Sequence, residues 1–202
     1  MSSRLRKSGK AKGRGPKGPR RGPGPKIVAG ELRGRRLESP SGMVTRPTSG
    51  RVRESVLNAL ASLGVIEDAV VLDLFAGTGA LGVEAVSRGA RSLTLVEQDA
   101  EAVECIEYSI ADFGLDDRAE VVRAEVLTWC ERTRPLADLV FADPPYDFSE
   151  WDRLLVSLSA DFVVAEAGRQ VDPPAGWEIV RSRSYGAAHV TFLAPLPAES
   201  AP

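Results

Sequence analysis

The sequence is poor in the residues that build metal centres and covalent nucleophiles: it holds one histidine, His189, and two widely separated cysteines, Cys105 and Cys130. A zinc site or a serine–histidine triad has too few parts here, so neither metal nor triad chemistry is expected. The cysteines fall in helix-like stretches and form no close pair, which reads as two reduced, buried thiols. Apolar runs of about eighteen residues, as a membrane span requires, are missing. The basic N-terminus has no apolar stretch behind it, so no secretory signal is readable and a cytoplasmic location is expected. With 202 residues and 43% hydrophobic content, one full domain with an appendage is expected.

What the chain does have is charge, unevenly divided. Residues 1 to 53 carry sixteen lysines and arginines against Glu31 and Glu38, a balance of +14, and the remainder carries 10 basic and 26 acidic residues, a balance of -16. Such a division suggests a polyanion-binding front on an acidic body. Residues 1 to 25 are almost entirely Gly, Pro, Lys, Arg and Ser, with too little apolar surface to offset the entropy of ordering. They are expected to be a disordered basic arm that binds phosphates, with a merely solubilising tail as the plainer alternative.

Residues 26 to 38 look like two short strands around a Gly-containing turn, with arginines projecting from the ribbon. A helix is expected from about Ser49 to Ala61, since Val52, Val56, Leu57 and Leu60 recur at helical spacing and Ser49 can cap it. From Ala69 short apolar runs alternate with longer segments. Val70 to Leu74, Ser92 to Val96, Glu120 to Arg123, Leu139 to Ala142 and Phe162 to Ala165 read as strands, with helix-like or loop-like segments between the first four. This predicts a doubly wound α/β domain with a mostly parallel sheet. Trp177 to Ser182 and Ala187 to Leu193, separated by Tyr185-Gly186 and no helix, predict a closing antiparallel hairpin.

After the first of these strands comes Asp73-Leu74-Phe75-Ala76-Gly77-Thr78-Gly79-Ala80-Leu81-Gly82, a Gly-x-Gly-x-x-Gly turn opening a helix. Such a turn lets a ligand approach the backbone at the helix N-terminus. Glu97 follows at the end of the next strand, where a carboxylate can accept both hydroxyls of a ribose. Together they imply an adenosine-containing ligand. Asp73, four residues before Gly77, would repel a pyrophosphate but attract a methionine ammonium and a sulfonium, favouring S-adenosylmethionine over a nicotinamide dinucleotide. Glu125, just after the third strand, is placed either to accept from the adenine amine or to serve as an ordinary acid at a helix N-terminus.

The sharpest motif is Asp143-Pro144-Pro145-Tyr146, directly after an apolar strand. That position is a carboxyl end beside the ligand crevice of a doubly wound sheet. Two prolines hold the backbone extended and leave the Asp143 and Pro144 carbonyls free as acceptors. Acceptors on both N–H bonds of an aryl amine draw its delocalised lone pair towards a nucleophilic geometry, and Tyr146 can stack on the base. The expected reaction is methylation of an exocyclic base amine.

On these motifs, with Ile27 to Leu37 and with Arg46-Pro47-Thr48 and Arg51-Val52-Arg53-Glu54, the sequence resembles the bacterial 16S ribosomal RNA guanine-N2 methyltransferases (the ribosomal small-subunit methyltransferase D family) from Lys26 to about Leu193. The resemblance implies a class I methyltransferase fold, a seven-stranded sheet with a small N-terminal RNA-binding hairpin. With the basic arm (1–25) outside the resemblance, the expected division of the rest is hairpin and helix (26–63), methyltransferase domain (64–195) and tail (196–202). The resemblance also implies S-adenosylmethionine held by Thr48, Arg51, Asp73, Phe75, Gly77, Gly79, Glu97 and Glu125, and a guanine amine oriented by Asp143, Pro144 and Tyr146. RNA would meet Arg33, Arg35, Arg36, Arg46 and Arg53. The implied substrate is 16S RNA in the small subunit or a late assembly intermediate, and a monomer is expected. Gly50 departs from the family, which carries a polar or acidic residue before Arg51.

The same chemistry occurs in DNA adenine-N6 and cytosine-N4 methyltransferases, which carry a larger target-recognition region, and in protein glutamine methyltransferases, generally with Asn for Asp143. An RNA-binding assembly factor without catalysis would show a broken glycine turn or missing acids, and both are intact here. Removing residues 1 to 25 is expected to weaken RNA binding and flatten its salt dependence, checked by titrating RNA at several salt concentrations.

Overall fold

The computed structural model describes residues 21–41 and 47–197, with side chains from 50 onward in the second stretch. Two strands open it, β1 (Arg21–Lys26) and β2 (Arg36–Pro40), paired antiparallel as a separate ribbon. The main body follows as α1 (Pro47–Leu63), β3 (Val70–Leu74), α2 (Ala80–Ser87), β4 (Ser92–Glu97), α3 (Ala100–Phe113), β5 (Ala119–Arg123), α4 (Val126–Thr133), β6 (Leu136–Ala142), α5 (Trp151–Ser157), β7 (Ser159–Ala167), β8 (Trp177–Tyr185) and β9 (Ala188–Pro195).

The last nine-residue strand β8 and its partner β9 join a seven-stranded sheet of order β5-β4-β3-β6-β7-β9-β8. Strands β5, β4, β3, β6 and β7 pair parallel, and β9 runs antiparallel to both β7 and β8. The chain leaves β3 towards β4 on one side and returns to β6 on the other, so the crevice between the carboxyl ends of β3 and β6 is the topological switch point. The mostly parallel α/β sheet and its closing hairpin follow the sequence pattern.

Central strands are buried on both faces, hence their nearly unbroken apolar runs. Val71, Leu139 and Phe141 join one core with Val83, Ala85 and Ile106, while Leu72, Leu74, Val140 and Ala142 join another with Leu127, Leu154 and Leu155. Both cysteines are buried helical thiols, and burial pushes that of Cys130 up to about 12.

The N-terminal elements differ from expectation in place. The first strand starts at Arg21, inside the stretch expected to be an arm, and residues 27–35 form the turn. Proline and glycine made β1 read as linker, yet an edge strand tolerates proline. At Gly24 a Cβ would stand 2.8 Å from the Leu37 carbonyl oxygen. Gly30 (φ +82°) is the tighter case, since a Cβ there would overlap the Ser87 carbonyl oxygen. That approach lets the Glu31 N–H donate to the Ser87 carbonyl (2.8 Å) and the Leu32 N–H to Ser87 Oγ (2.9 Å). Ile27, Leu32 and Leu37 are buried in the same core as α1, α2 and α3, so the ribbon is continuous with the main body. Helix α1 starts at Pro47, which puts Ser49 inside it rather than at its cap. Proline suits the first helical turn, where its fixed φ helps and its missing N–H costs nothing.

One buried ion group fastens these pieces. Glu84 of α2 is fully buried and accepts from Arg53 Nε of α1 (3.2 Å) and Arg88 Nη2 (2.8 Å), while Arg53 Nη2 donates to the Lys26 carbonyl at the end of β1 (2.9 Å). Removing one member of such a group strands the others in low dielectric, which costs roughly 3–5 kcal/mol. Glu84→Ala is therefore expected to lower stability by about that much, read from urea unfolding; a loss below about 1 kcal/mol would contradict this role.

Candidate methyl-transfer site

A cavity of about 460 Å³ opens at the switch point. Its base is formed by Asp73, by Phe75 to Thr78 with Ala80 and Leu81, and by Ala142 and Asp143. Val52, Arg53 and Val56 of α1 and Pro25 of β1 wall one side; Val164 and Glu166 of β7, with Tyr185, Ala188 and Val190, wall the other. The walls are tied together, since Ser55 of α1 and Tyr185 of β8 share a 2.9 Å hydrogen bond.

The glycine turn is built by sterics as much as by ligand access. Gly79 has φ +73°, and a Cβ would press to 2.8 Å of Leu95; at Gly82 one would come within 2.5 Å of Leu93 and 3.0 Å of the Asp73 carboxylate. Small residues thus let α2 settle against β3 and β4. The Gly82 N–H then donates to Asp73 (2.9 Å) and the Gly77 N–H to Glu97 (2.8 Å). The other Glu97 oxygen accepts from the Gln98 and Asp99 N–H groups, which fixes this carboxylate at the end of β4. Phe75 takes a left-handed φ of 58° and packs edge-on against Phe148, with ring centroids 5.3 Å apart. Phe148 in turn donates its N–H to the Pro145 carbonyl (2.9 Å), closing a turn that holds Tyr146 half-exposed at its tip. The cofactor turn and the Asp-Pro-Pro-Tyr turn are therefore braced against each other through two phenylalanines.

The structure brings Asp73, Phe75, Gly77, Asp143 and Tyr146 together at one cavity, beside the buried Pro144. Other expected site residues stand elsewhere. Both carboxylate oxygens of Glu125 accept from the first turn of α4, from the Leu127 and Thr128 N–H groups and the Thr128 hydroxyl, so this acid is a helix cap. These bonds hold its pKa below the ordinary value. Arg53, expected at RNA phosphates, is instead buried between Glu84 and the Lys26 carbonyl and lines the cavity. Arg35 donates to the Asp112 carbonyl and carboxylate of α3 and lies over the Phe113 ring, which commits it to docking the ribbon. Arg33, Arg36 and Arg51 are exposed, Thr48 lies in the first turn of α1, and Arg46 lies outside the described residues.

The sequence reading missed Glu166, Tyr185 and the cavity role of Arg53. The one available signal was an acid directly after the apolar run Phe162 to Ala165. Pro25 belongs to the cavity as well, so a deletion of the basic N-terminal residues that spares the cavity and β1 must stop at Arg20.

Burial pushes the Asp73 carboxyl up to about 8, opposed by the Gly82 N–H and reinforced by the charges of Asp143 and Glu97. An unfolded aspartate ionises near 3.9, so between about pH 4 and 8 the unfolded chain gains charge that the folded site resists. This group's contribution to stability is full below about pH 4 and is lost as pH rises through about 8. Asp73→Asn keeps an oxygen for Gly82 and removes the titration. The variant is expected to gain on the parent progressively between pH 5 and 8 in urea unfolding, and parallel curves would refute the shift.

Comparison with known proteins agrees with this geometry. A family model described as Conserved hypothetical protein 95 matches residues 25–194. The Escherichia coli K12 protein named Ribosomal RNA small subunit methyltransferase D is 40% identical over 121 residues, which span 60% of this chain and 60% of that protein's own length. Bacillus subtilis YlbH, provisionally named an rRNA methyltransferase, is 31% identical over 180 residues covering 83% of this chain and 97% of its own. The solved structure of Escherichia coli YhhF, provisionally named a methyltransferase, superposes with a TM-score of 0.76 at 31% identity, covering 86% of this chain and 98% of that one.

Proposed function

This chain belongs to the Conserved hypothetical protein 95 family, and from that premise we propose that it transfers the methyl group of S-adenosylmethionine to the N2 amine of a guanine in 16S ribosomal RNA. The observation that carries the reading is the placement of Asp143-Pro144-Pro145-Tyr146 at the end of β6, across the switch point from the glycine turn and opening into the same cavity. The similar Escherichia coli protein bears an rRNA methyltransferase name, which supports RNA as the substrate class.

The residues present fit the cofactor. Asp73, whose carboxyl burial pushes up to about 8, would be drawn to its ionised form by a cationic ligand, and Glu97 is held at the end of β4 where ribose hydroxyls can donate to it. Arg53 is the only cation among the described residues lining the cavity, and it suits the carboxylate of an amino-acid tail. When bound, the cofactor supplies an electrophilic methyl on a sulfonium that leaves as a neutral thioether.

The protein's own part is orientation and charge. Tyr146, at the tip of its turn, stacks on the base and sets its plane. The Asp143 carboxylate and the Pro144 carbonyl accept from the two N–H bonds of the amine, directing its lone pair at the methyl carbon. As the new N–C bond forms, the amine becomes cationic and sheds a proton, which the Asp143 carboxylate can accept. Exposed Arg33 and Arg36 on the ribbon meet RNA phosphates.

The test is methyl transfer from labelled cofactor to 30S subunits lacking the modification, beside naked 16S RNA and duplex DNA, with nucleoside analysis and mapping of the modified position. N2-methylguanine in RNA is the expected product, and N6-methyladenine in DNA would overturn the reading. Asp143→Ala is expected to lower turnover by at least about a hundredfold while changing cofactor affinity little. Equal loss of both would sink this division of roles.

A further inference from the structure

Glu166 belongs to neither sequence motif, yet the sheet places it beside the one that carries the reaction. Strands β6 and β7 pair in parallel with Phe141 opposite Val164 and Ala142 opposite Ala165. Asp143 directly follows Ala142 and Glu166 directly follows Ala165, so the two acids leave the last paired positions of neighbouring strands, which lie about 4.8 Å apart. Val164 and Glu166, two residues apart, share a face of the sheet, and both line the cavity with Asp143 and Tyr146. On its other side Glu166 pairs with Val190 of β9, also in the cavity wall, which fixes its backbone.

The chemistry of the edge that such a pair would meet is specific. Guanine presents its N2 amine next to N1–H, two adjacent donors. Adenine presents its N6 amine next to N1, a bare acceptor, and 2-aminopurine keeps the N2 amine but also has a bare N1. An ionised carboxylate only accepts. Two neighbouring carboxylates therefore match guanine, whereas the other two bases would turn a lone pair towards one of them.

We propose that Glu166 is a specificity-determining residue: its carboxylate accepts N1–H of the target guanine while Asp143 engages the N2 amine. The inference rests on the guanine-N2 reading above and explains how one Asp-Pro-Pro-Tyr turn, whose chemistry serves adenine equally well, is restricted to guanine. A site built around a donor rejects analogues that lack it far more strongly than a site defined by shape alone.

The experiment uses the full chain and 30S subunits reconstituted with 16S RNA that carries guanine or 2-aminopurine at the mapped position. The wild-type protein is expected to prefer guanine by about a hundredfold or more in kcat/KM. E166Q, which keeps the side chain's shape, is expected to cut that preference at least about tenfold while leaving cofactor affinity unchanged. Equal use of both bases by the wild type would overturn the proposal without any variant, and so would an undiminished preference in E166Q; either leaves guanine methylation standing. Absence of transfer to the guanine subunits would instead bring down the guanine-N2 reading and this inference with it.

Discussion

The site depends on a buried carboxylate that never touches it. Glu84 sits wholly inside the protein with Arg53 on one oxygen and Arg88 on the other, and Arg53 reaches on to the Lys26 carbonyl. Three elements that have no sheet pairing with one another, β1, α1 and α2, are thereby held in one arrangement. Two of them supply the wall of the cavity that the parallel sheet cannot provide, through Pro25, Val52 and Val56. A doubly wound sheet always opens a crevice at its switch point, but an open crevice leaves a cofactor in water. Here the ion group encloses one flank and the Ser55–Tyr185 bond ties that flank to the other.

The same contacts give the basic ribbon a mechanical relation to the chemistry. Gly30 is pressed onto the end of α2, Arg35 is locked onto α3, and Arg53 holds the end of β1. A ribbon so anchored is continuous with the body of the fold, and on the proposed reading phosphates met by its exposed arginines would be registered against Asp143 and Tyr146. Charge is divided to the same effect, with cations gathered at the front and Asp73, Asp143 and Glu166 gathered in the cavity. On the proposed reading such a division would draw a polyanion to the ribbon and leave Asp143 and Glu166 to the donor edge of a base.

How far the sequence could be read depended on whether a residue's role is local. The strands from β3 to β9 were legible because burial on both faces writes itself as short apolar runs. The glycine turn and Asp-Pro-Pro-Tyr were legible because consecutive residues carry their chemistry. The ribbon was misplaced because Pro23 and Pro25 look like linker unless one knows that β1 is an edge strand paired with β2 alone. Arg35 and Arg53 looked like RNA contacts because a basic run says nothing about which guanidiniums turn inward. Their partners, Asp112 and Glu84, lie 77 and 31 residues downstream. Glu125 combined both problems, an acid at the right strand end whose oxygens are taken by its own helix.

Glu166 was illegible for a different reason. Alone, a glutamate at a strand end is unremarkable; what gives it meaning is the parallel register of β6 and β7, which lays Ala142 against Ala165 and so aligns the two acids that follow. In a parallel sheet the carboxyl ends of neighbouring strands lie at one level, and residues far apart in sequence become adjacent wherever the strands stop together. On the proposed reading, the group that orients the amine and the group that chooses the base come from two separate strands and could be altered one at a time.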